Sequence, residues 1–356
     1  MYKRQVEELG PGASRASYAA SAITEIRQAR QVLGDVDRPV STVFLGGGTP
    51  TLLPPGDLGA VLASIAAEFG LATDAEITTE SNPDSATAWD LEQLRGVGFN
   101  RISFGMQSAV PHVLATLDRT HDPLRVPAVV EWARAAGFDQ VSLDLIYGTP
   151  GESLPDWETS LEAALACEPD HVSAYSLIVE DGTALARAVR RQEIPAPDDD
   201  DLADKYLVAD ERLAAAGLGW YEVSNWARDE AARCRHNLQY WTGADWWGVG
   251  PGAHSHIGGV RWWNVKHPAA YADRLASGVS PAHARELLSA EDRRVERVLL
   301  ELRLDSGLDP AVLDDGGRAA VPDLVGRWLL SADPSRLVLT RDGRLMADAL
   351  VRDLLP

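Results

Sequence analysis

Cysteine is nearly absent from this chain: two in 356 residues, Cys167 and Cys234, far apart and in no C-x-x-C pair. That excludes a disulfide framework and a local metal knot. Cys167 falls in an alanine-rich helical stretch and reads as a small core residue. Positive charge is also short, 33 Lys and Arg against 53 Asp and Glu, for a formal net charge of -20. Sequence-independent binding to nucleic acid or anionic lipid needs a basic face, so nucleic acid is excluded as a partner. A local basic patch leaves peripheral membrane contact open. The cations are almost all arginine, which reports a GC-rich genome rather than a function. No apolar run approaches the length of a membrane span and the first residues lack a signal-peptide pattern, which places the chain in the cytoplasm. What remains, 45% hydrophobic and 24% charged, suits one large α/β domain with a smaller satellite.

The pattern alternates. Helical periodicity over Arg15 to Leu33 precedes a strand at Val40 to Leu45, and a helix at Asp57 to Phe69 precedes a strand at Glu76 to Thr79. A helix at Ser85 to Gly96 leads to the strand Arg101 to Phe104, and helices at Pro111 to Leu117 and Leu124 to Ala136 lead to the strand Gln140 to Leu145. A helix at Leu154 to Ala166 leads to the strand His171 to Ile178. Such alternation predicts right-handed βαβ units around a parallel sheet, a barrel or partial barrel with its site at the C-terminal strand ends.

The first strand reads VSTVFLGGGTP from Val40 to Pro50. Glycine has no Cβ, so Gly46, Gly47 and Gly48 let the chain take positive φ and let a ligand approach bare peptide groups. Two glycines there would make a tight turn; three followed by Thr-Pro make a ligand-facing loop. It is neither a Walker loop, since no Gly-Lys-Ser/Thr follows, nor a dinucleotide fingerprint, since G-x-G-x-x-G is missing. Glu80, Ser81 and Asn82 close the second strand, Gly105, Met106 and Gln107 the third, Asp144, Tyr147 and Gly148 the fourth, while Tyr175 and Ser176 lie in the fifth. Each alone reads as a cap or a turn polar. Their convergence on one rim points to a pocket for an amino-acid-like or nucleoside ligand.

Beyond Val179 the alternation ends. The acidic run Asp198 to Asp201 reads as a solvated helix cap. The stretch RHNLQYWTGADWWGVGPGAHSH sets His236, His254 and His256 among Tyr240, Trp241, Trp246 and Trp247. Aromatic density usually means a core and a lone histidine a satisfied polar group, but imidazole ligates heme iron and flat aromatics suit a porphyrin plane. From about Glu291, EDRRVERVLLELRL and VPDLVGRWLL read as helices, RLVLTRDGRL as a hairpin with an Asp-Gly turn, and the last residues to Leu355 as a short helix. That is the pattern of a small α+β winged-helix-like domain, for which the acidic chain favours a structural or docking role.

GGGTP, ESNP, RISFGMQS, LDRTH, LDLIYGTP and RHNLQYW, in this order over residues 15 to 350, resemble the motifs of the oxygen-independent coproporphyrinogen oxidase-like radical S-adenosylmethionine (SAM) family, and within it of the HemW group of heme chaperones. The resemblance implies a partial (β/α)6 radical SAM barrel with SAM at its rim and a C-terminal region that closes over the site. It implies Gly47, Gly48 and Thr49 against the methionine part of SAM, Glu80, Gln107, Arg119 and Asp144 completing the pocket, and Ser176 with the loop Gly248 to His254 along the adenosyl side. It also implies heme binding by HNxxYW, that is by His236, Asn237, Tyr240 and Trp241, with His254 as an alternative ligand, and heme-acceptor proteins as partners.

One departure from the family stands out. Its members carry C-x-x-x-C-x-x-C after the first barrel strand, three thiolates that hold a [4Fe-4S] cluster. This chain lacks both that trio and that strand. Met1 to Gln5, MYKRQ, back-translates with a GTG start to the end of a common sequencing adapter. The expectation is a truncated reading frame: residues 1–5 foreign, 6–180 the partial barrel, 181–290 the covering region, 291–356 the C-terminal domain, and the cluster confined to the full-length protein. Three functions remain: a heme chaperone rather than an enzyme, an oxygen-independent coproporphyrinogen III oxidase that abstracts hydrogen from a propionate, or a cluster-free SAM or nucleotide binder. HNxxYW and the compact length favour the first.

Overall fold

A computed structural model describes residues 15–34, 39–119, 121–331, 333 and 335–355; Met1 to Gln5 lie outside the described residues. They form two compact units, one of 39–220 with 224–233, the other of 15–34, 221–223 and 234–355.

Helix α1 (Arg15–Leu33) belongs to the second unit. The first unit starts at β1 (Val40–Leu45) and alternates as the sequence predicts: α2 (Pro55–Phe69), β2 (Leu71–Ser81), α3 (Ala88–Gly96), β3 (Arg101–Gln107), α4 (Pro111–Thr116), α5 (Arg125–Ala136), β4 (Gln140–Tyr147), α6 (Leu154–Leu165) and β5 (His171–Ser176). The helices begin where their chemistry allows. Thr87 and Ser153 each accept from the N–H of an aspartate three residues on, Asp90 or Asp156, whose carboxylate returns to the cap N–H. Left-handed Gly137 ends α5. The five strands pair in parallel, Val43 beside Ile77, Thr79 beside Ile102, Ile102 beside Val141 and Leu143 beside Val172. Their apolar side chains join Leu91, Phe99, Val129 and Trp157 in one core.

Three strands run longer than predicted, β4 by Ile146 and Tyr147. β2 begins at Leu71 rather than Glu76, because an irregularity after the Val40–Leu71 pair carries the polar Thr73 and Asp74 within the ladder. β3 continues through Gly105 and Met106 to Gln107, again across a register shift. After β5 come α7 (Ala184–Arg190), α8 (Asp199–Ala215), β6 (Gly219–Glu222) and β7 (Asn225–Ala227). The predicted acidic cap holds: Asp198 accepts from Asp201 N–H at 3.0 Å. β7 pairs antiparallel with β5, giving the sheet order β1-β2-β3-β4-β5-β7-β6. Tyr206, Ala209 and Leu213 place α8 on the same core.

The second unit holds α1, α9 (Arg235–Trp241), β8 (His254–Ile257), β9 (Val260–Asn264), α10 (Pro268–Ala276) and β10 (Ala282–Leu287), the strands forming an antiparallel sheet in the order β10-β9-β8. Then α11 (Ala290–Glu301), α12 (Asp315–Gly326), α13 (Arg341–Leu345) and α14 (Ala347–Leu354) pack around Val298, Leu302, Leu308, Leu324, Leu337 and Leu350. The hairpin expected over RLVLTRDGRL is not formed. Leu337 and Leu339 bridge singly to Leu308 and Leu330, and Arg341 to Leu345 is a helix. Thr340 explains the difference: its side chain accepts the Gly343 N–H at 3.1 Å, so Asp342 and Gly343 become a helical first turn.

Candidate functional site

The glycine loop after β1 has three distinct jobs. A Cβ at Gly46 would lie 2.6 Å from Phe44 Cε1 and 2.9 Å from Glu80 Oε1, so the first glycine admits β2's carboxylate. Gly47 takes φ 95° and donates its N–H to Glu80 Oε2 at 3.0 Å. Gly48 meets nothing within 4 Å and faces open space. Positive φ therefore belongs to the middle glycine alone, and open space begins at Gly48.

Across the sheet, Glu80 stands in register with Ser103, whose hydroxyl donates to both oxygens of Asp144, at 2.9 Å each. Ser173, in register with Asp144, bonds the same carboxylate. Burial pushes the Asp144 carboxyl above its ordinary range, while the two hydroxyls and Arg101 pull it back. Gln107 ends β3 at φ 63°, a left-handed conformation costly for a side-chain-bearing residue. Its amide folds back to within 2.7 Å of where a Cβ would stand on Gly105, which accounts for that glycine. Ser176 is the register partner of Tyr147 and bonds its hydroxyl. Tyr147 is core, packed on Trp157 at 5.3 Å, with burial raising its pKa to about 12. Arg119 is exposed beyond α4. Asn82 is a turn residue, accepting from Asp84 N–H at 2.9 Å. The rim thus holds two hydrogen-bonded pairs, Gly47 with Glu80 and Ser103 with Asp144, on strands where Glu80 and Ser103 are register partners. Ser103 and Ser173 escaped the sequence reading because a serine inside a strand carries no local signal.

In the second unit, α9 sets His236 and Tyr240 one turn apart, so the two rings meet edge to face at 5.1 Å and His236 Nε2 lies 2.9 Å from the Tyr240 hydroxyl. Tyr240 meets Trp246 edge-on at 4.8 Å, and Trp246 lies 5.2 Å from His256. Half-buried Asn237 and Trp241 share the helix. His254 is turned elsewhere, exposed and stacked on Trp263 at 5.8 Å. His256 was missed as a candidate. Its Nδ1 lies 3.1 Å from the Ala244 carbonyl, which fixes the proton there, and its buried Nε2 has no hydrogen-bond partner.

The loop Gly248 to His254 is anchored by a residue no motif suggested. Glu25 of α1, 1% exposed, accepts from Gly250 N–H at 2.8 Å, Asn264 Nδ2 at 2.7 Å and the Tyr271 hydroxyl at 2.6 Å. Burial raises its pKa despite these donors. At the loop's far end, Ser255 Oγ accepts from Gly248 N–H at 2.9 Å.

The cysteines do not fit a [4Fe-4S] cluster, which needs more thiolates than two. Cys167 is half-buried with its thiol on the Ala163 carbonyl, and Cys234 is buried before α9. Among the described residues no three His, Cys, Asp or Glu side chains gather as metal ligands. No described helix is long and apolar enough to cross a membrane.

Residues 15–164 match the Radical SAM superfamily. The heme chaperone HemW of Mycobacterium tuberculosis (strain H37Rv) is 52% identical over 90% of this chain and 82% of its own length. HemW of Bacillus subtilis (strain 168) is 32% identical over 87% of this chain and 84% of its own length. Among solved structures, coproporphyrinogen III oxidase (HemN) of Escherichia coli, a radical SAM enzyme, superposes with a TM-score of 0.82 over 97% of this chain and 84% of that one, at 23% identity. That likeness establishes a shared fold, the radical SAM half-barrel of sheet and helices.

Proposed function

Since this chain belongs to the HemW family of radical SAM heme chaperones, we propose that it binds heme on α9 and passes it to acceptor proteins, working in the cytoplasm. His236 supplies an axial nitrogen, and Asn237, Tyr240 and Trp241 border the porphyrin, with His254 as the alternative ligand. The observation that carries this reading is the aromatic run His236–Tyr240–Trp246–His256, in which rings about 5 Å apart lead away from an imidazole on a half-exposed helix.

SAM belongs to the strand-end rim in the same proposal. Gly47, Gly48 and Thr49 receive its methionine part. Glu80 holds the glycine loop from beneath, while Asp144, oriented by Ser103 and Ser173, offers a carboxylate on the sheet's inner face. Gln107, Arg119 and Ser176 complete the pocket. Bound SAM with a reduced cluster is a source of radical chemistry in this superfamily; the two cysteines of this chain do not make that cluster. The oxidase reading has only the fold likeness behind it.

Hemin titration tests the heme assignment. His236→Ala is expected to weaken binding by roughly tenfold, equivalent to about 1.4 kcal/mol, and to shift the Soret band. An unchanged spectrum in both His236→Ala and His254→Ala would overturn it.

A further inference from the structure

The ring nitrogen proposed to meet iron has a partner already. His236 Nε2 sits 2.9 Å from the Tyr240 hydroxyl; with the ring proton on Nδ1, Nε2 accepts from that hydroxyl, and its lone pair serves one electrophile at a time, either a hydroxyl proton or a metal. We propose that Tyr240 competes with heme iron for His236, occupying Nε2 in the empty protein and reclaiming it as heme departs. The proposal rests on His236 being the axial ligand.

The geometry favours a reusable contact. The i to i+4 spacing on α9 brings the hydroxyl back to the same atom without rearranging the backbone, and the edge of Trp246, 4.8 Å away, supports the tyrosine ring. In the exchange the iron–Nε2 bond breaks with both electrons remaining on nitrogen, and the O–H···N bond forms in its place. No proton leaves and nothing is oxidised or reduced. A carrier that must surrender its cargo gains from this arrangement, because the released ligand is satisfied at once.

Tyr240→Phe in the otherwise unaltered chain keeps the ring and deletes the competitor. A neutral hydrogen bond contributes roughly 0.5–1.5 kcal/mol, so hemin affinity is expected to rise by about twofold to tenfold and transfer to excess apomyoglobin to slow by a similar factor. In a His236→Ala background the substitution is expected to change neither quantity, since its target is gone; a merely structural role would persist there. Weaker binding or faster release in Tyr240→Phe would show that the hydroxyl holds heme and would overturn the proposal, as would unchanged release. If His236→Ala itself leaves the Soret band unmoved, the axial assignment fails first. If it moves the band while Tyr240→Phe alters nothing, only the competition fails.

Discussion

Glu25 shows how a residue without a sequence signature can decide local geometry. It lies mid-helix in RASYAASAITEIRQARQVL, and its three donors are 225, 239 and 246 residues away. Glu25→Ala would leave a buried N–H, an amide and a phenol without their acceptor, and is expected to cost about 3 kcal/mol or more by chemical denaturation. Its titration has a definite sign. Desolvation raises the folded pKa above the ordinary 4.5, so the folded state holds the proton more tightly than the unfolded chain. The stability from that proton is complete below 4.5 and is lost as pH rises through the raised value. Glu25→Gln cannot titrate, so the melting temperature of the native chain relative to this variant is expected to fall over that window; a constant difference would refute the shift. HNxxYW and GGGTP stand out in the sequence because their signal is local. Glu25, Ser103, Ser173 and His256 do not, because partners distant in sequence define what they do.

At the scale of elements, hydrophobic period and caps made the βα alternation readable, and α1 and β1 fall where the pattern put them. Failures came where two local signals competed. Asp342-Gly343 is a good hairpin turn, yet Thr340 is also a good N-cap, and the cap prevails with help from packing: a Cβ on Gly343 would run into the Leu329 carbonyl. Thr340 further donates to the Trp328 carbonyl at 2.6 Å. Thr340→Ala is expected to destabilise the C-terminal helices by about 1–2 kcal/mol in urea unfolding, with Thr340→Ser recovering most of it. Equal loss in both variants would assign the effect to the threonine methyl instead. The overruns of β2 and β3 have one cause: ladders tolerate polar and glycine residues that propensity alone would exclude.

For the molecule as a whole, ligand count sets a limit that no folding detail relaxes. Two cysteines, one in each unit, cannot hold a [4Fe-4S] cluster. Anaerobic reconstitution with iron and sulfide, followed by desalting, is expected to leave no stoichiometric cluster on this chain; four irons and four sulfides per polypeptide would contradict it. The radical SAM half-barrel was legible in the alternation of strands and helices, whereas the division into units was not, because α1 precedes the described residues of the first unit in sequence and belongs with the second. That order has a consequence for synthesis on the ribosome. The described strands of the first unit are all made once β7 emerges, but α1, made before them, must wait for Tyr271, 246 residues later. At roughly 5–20 residues per second that is about 12–50 s. Throughout the interval Glu25 is a solvated carboxylate without its donors, and a helix translated before the strands β1 to β5 finds its place only after them.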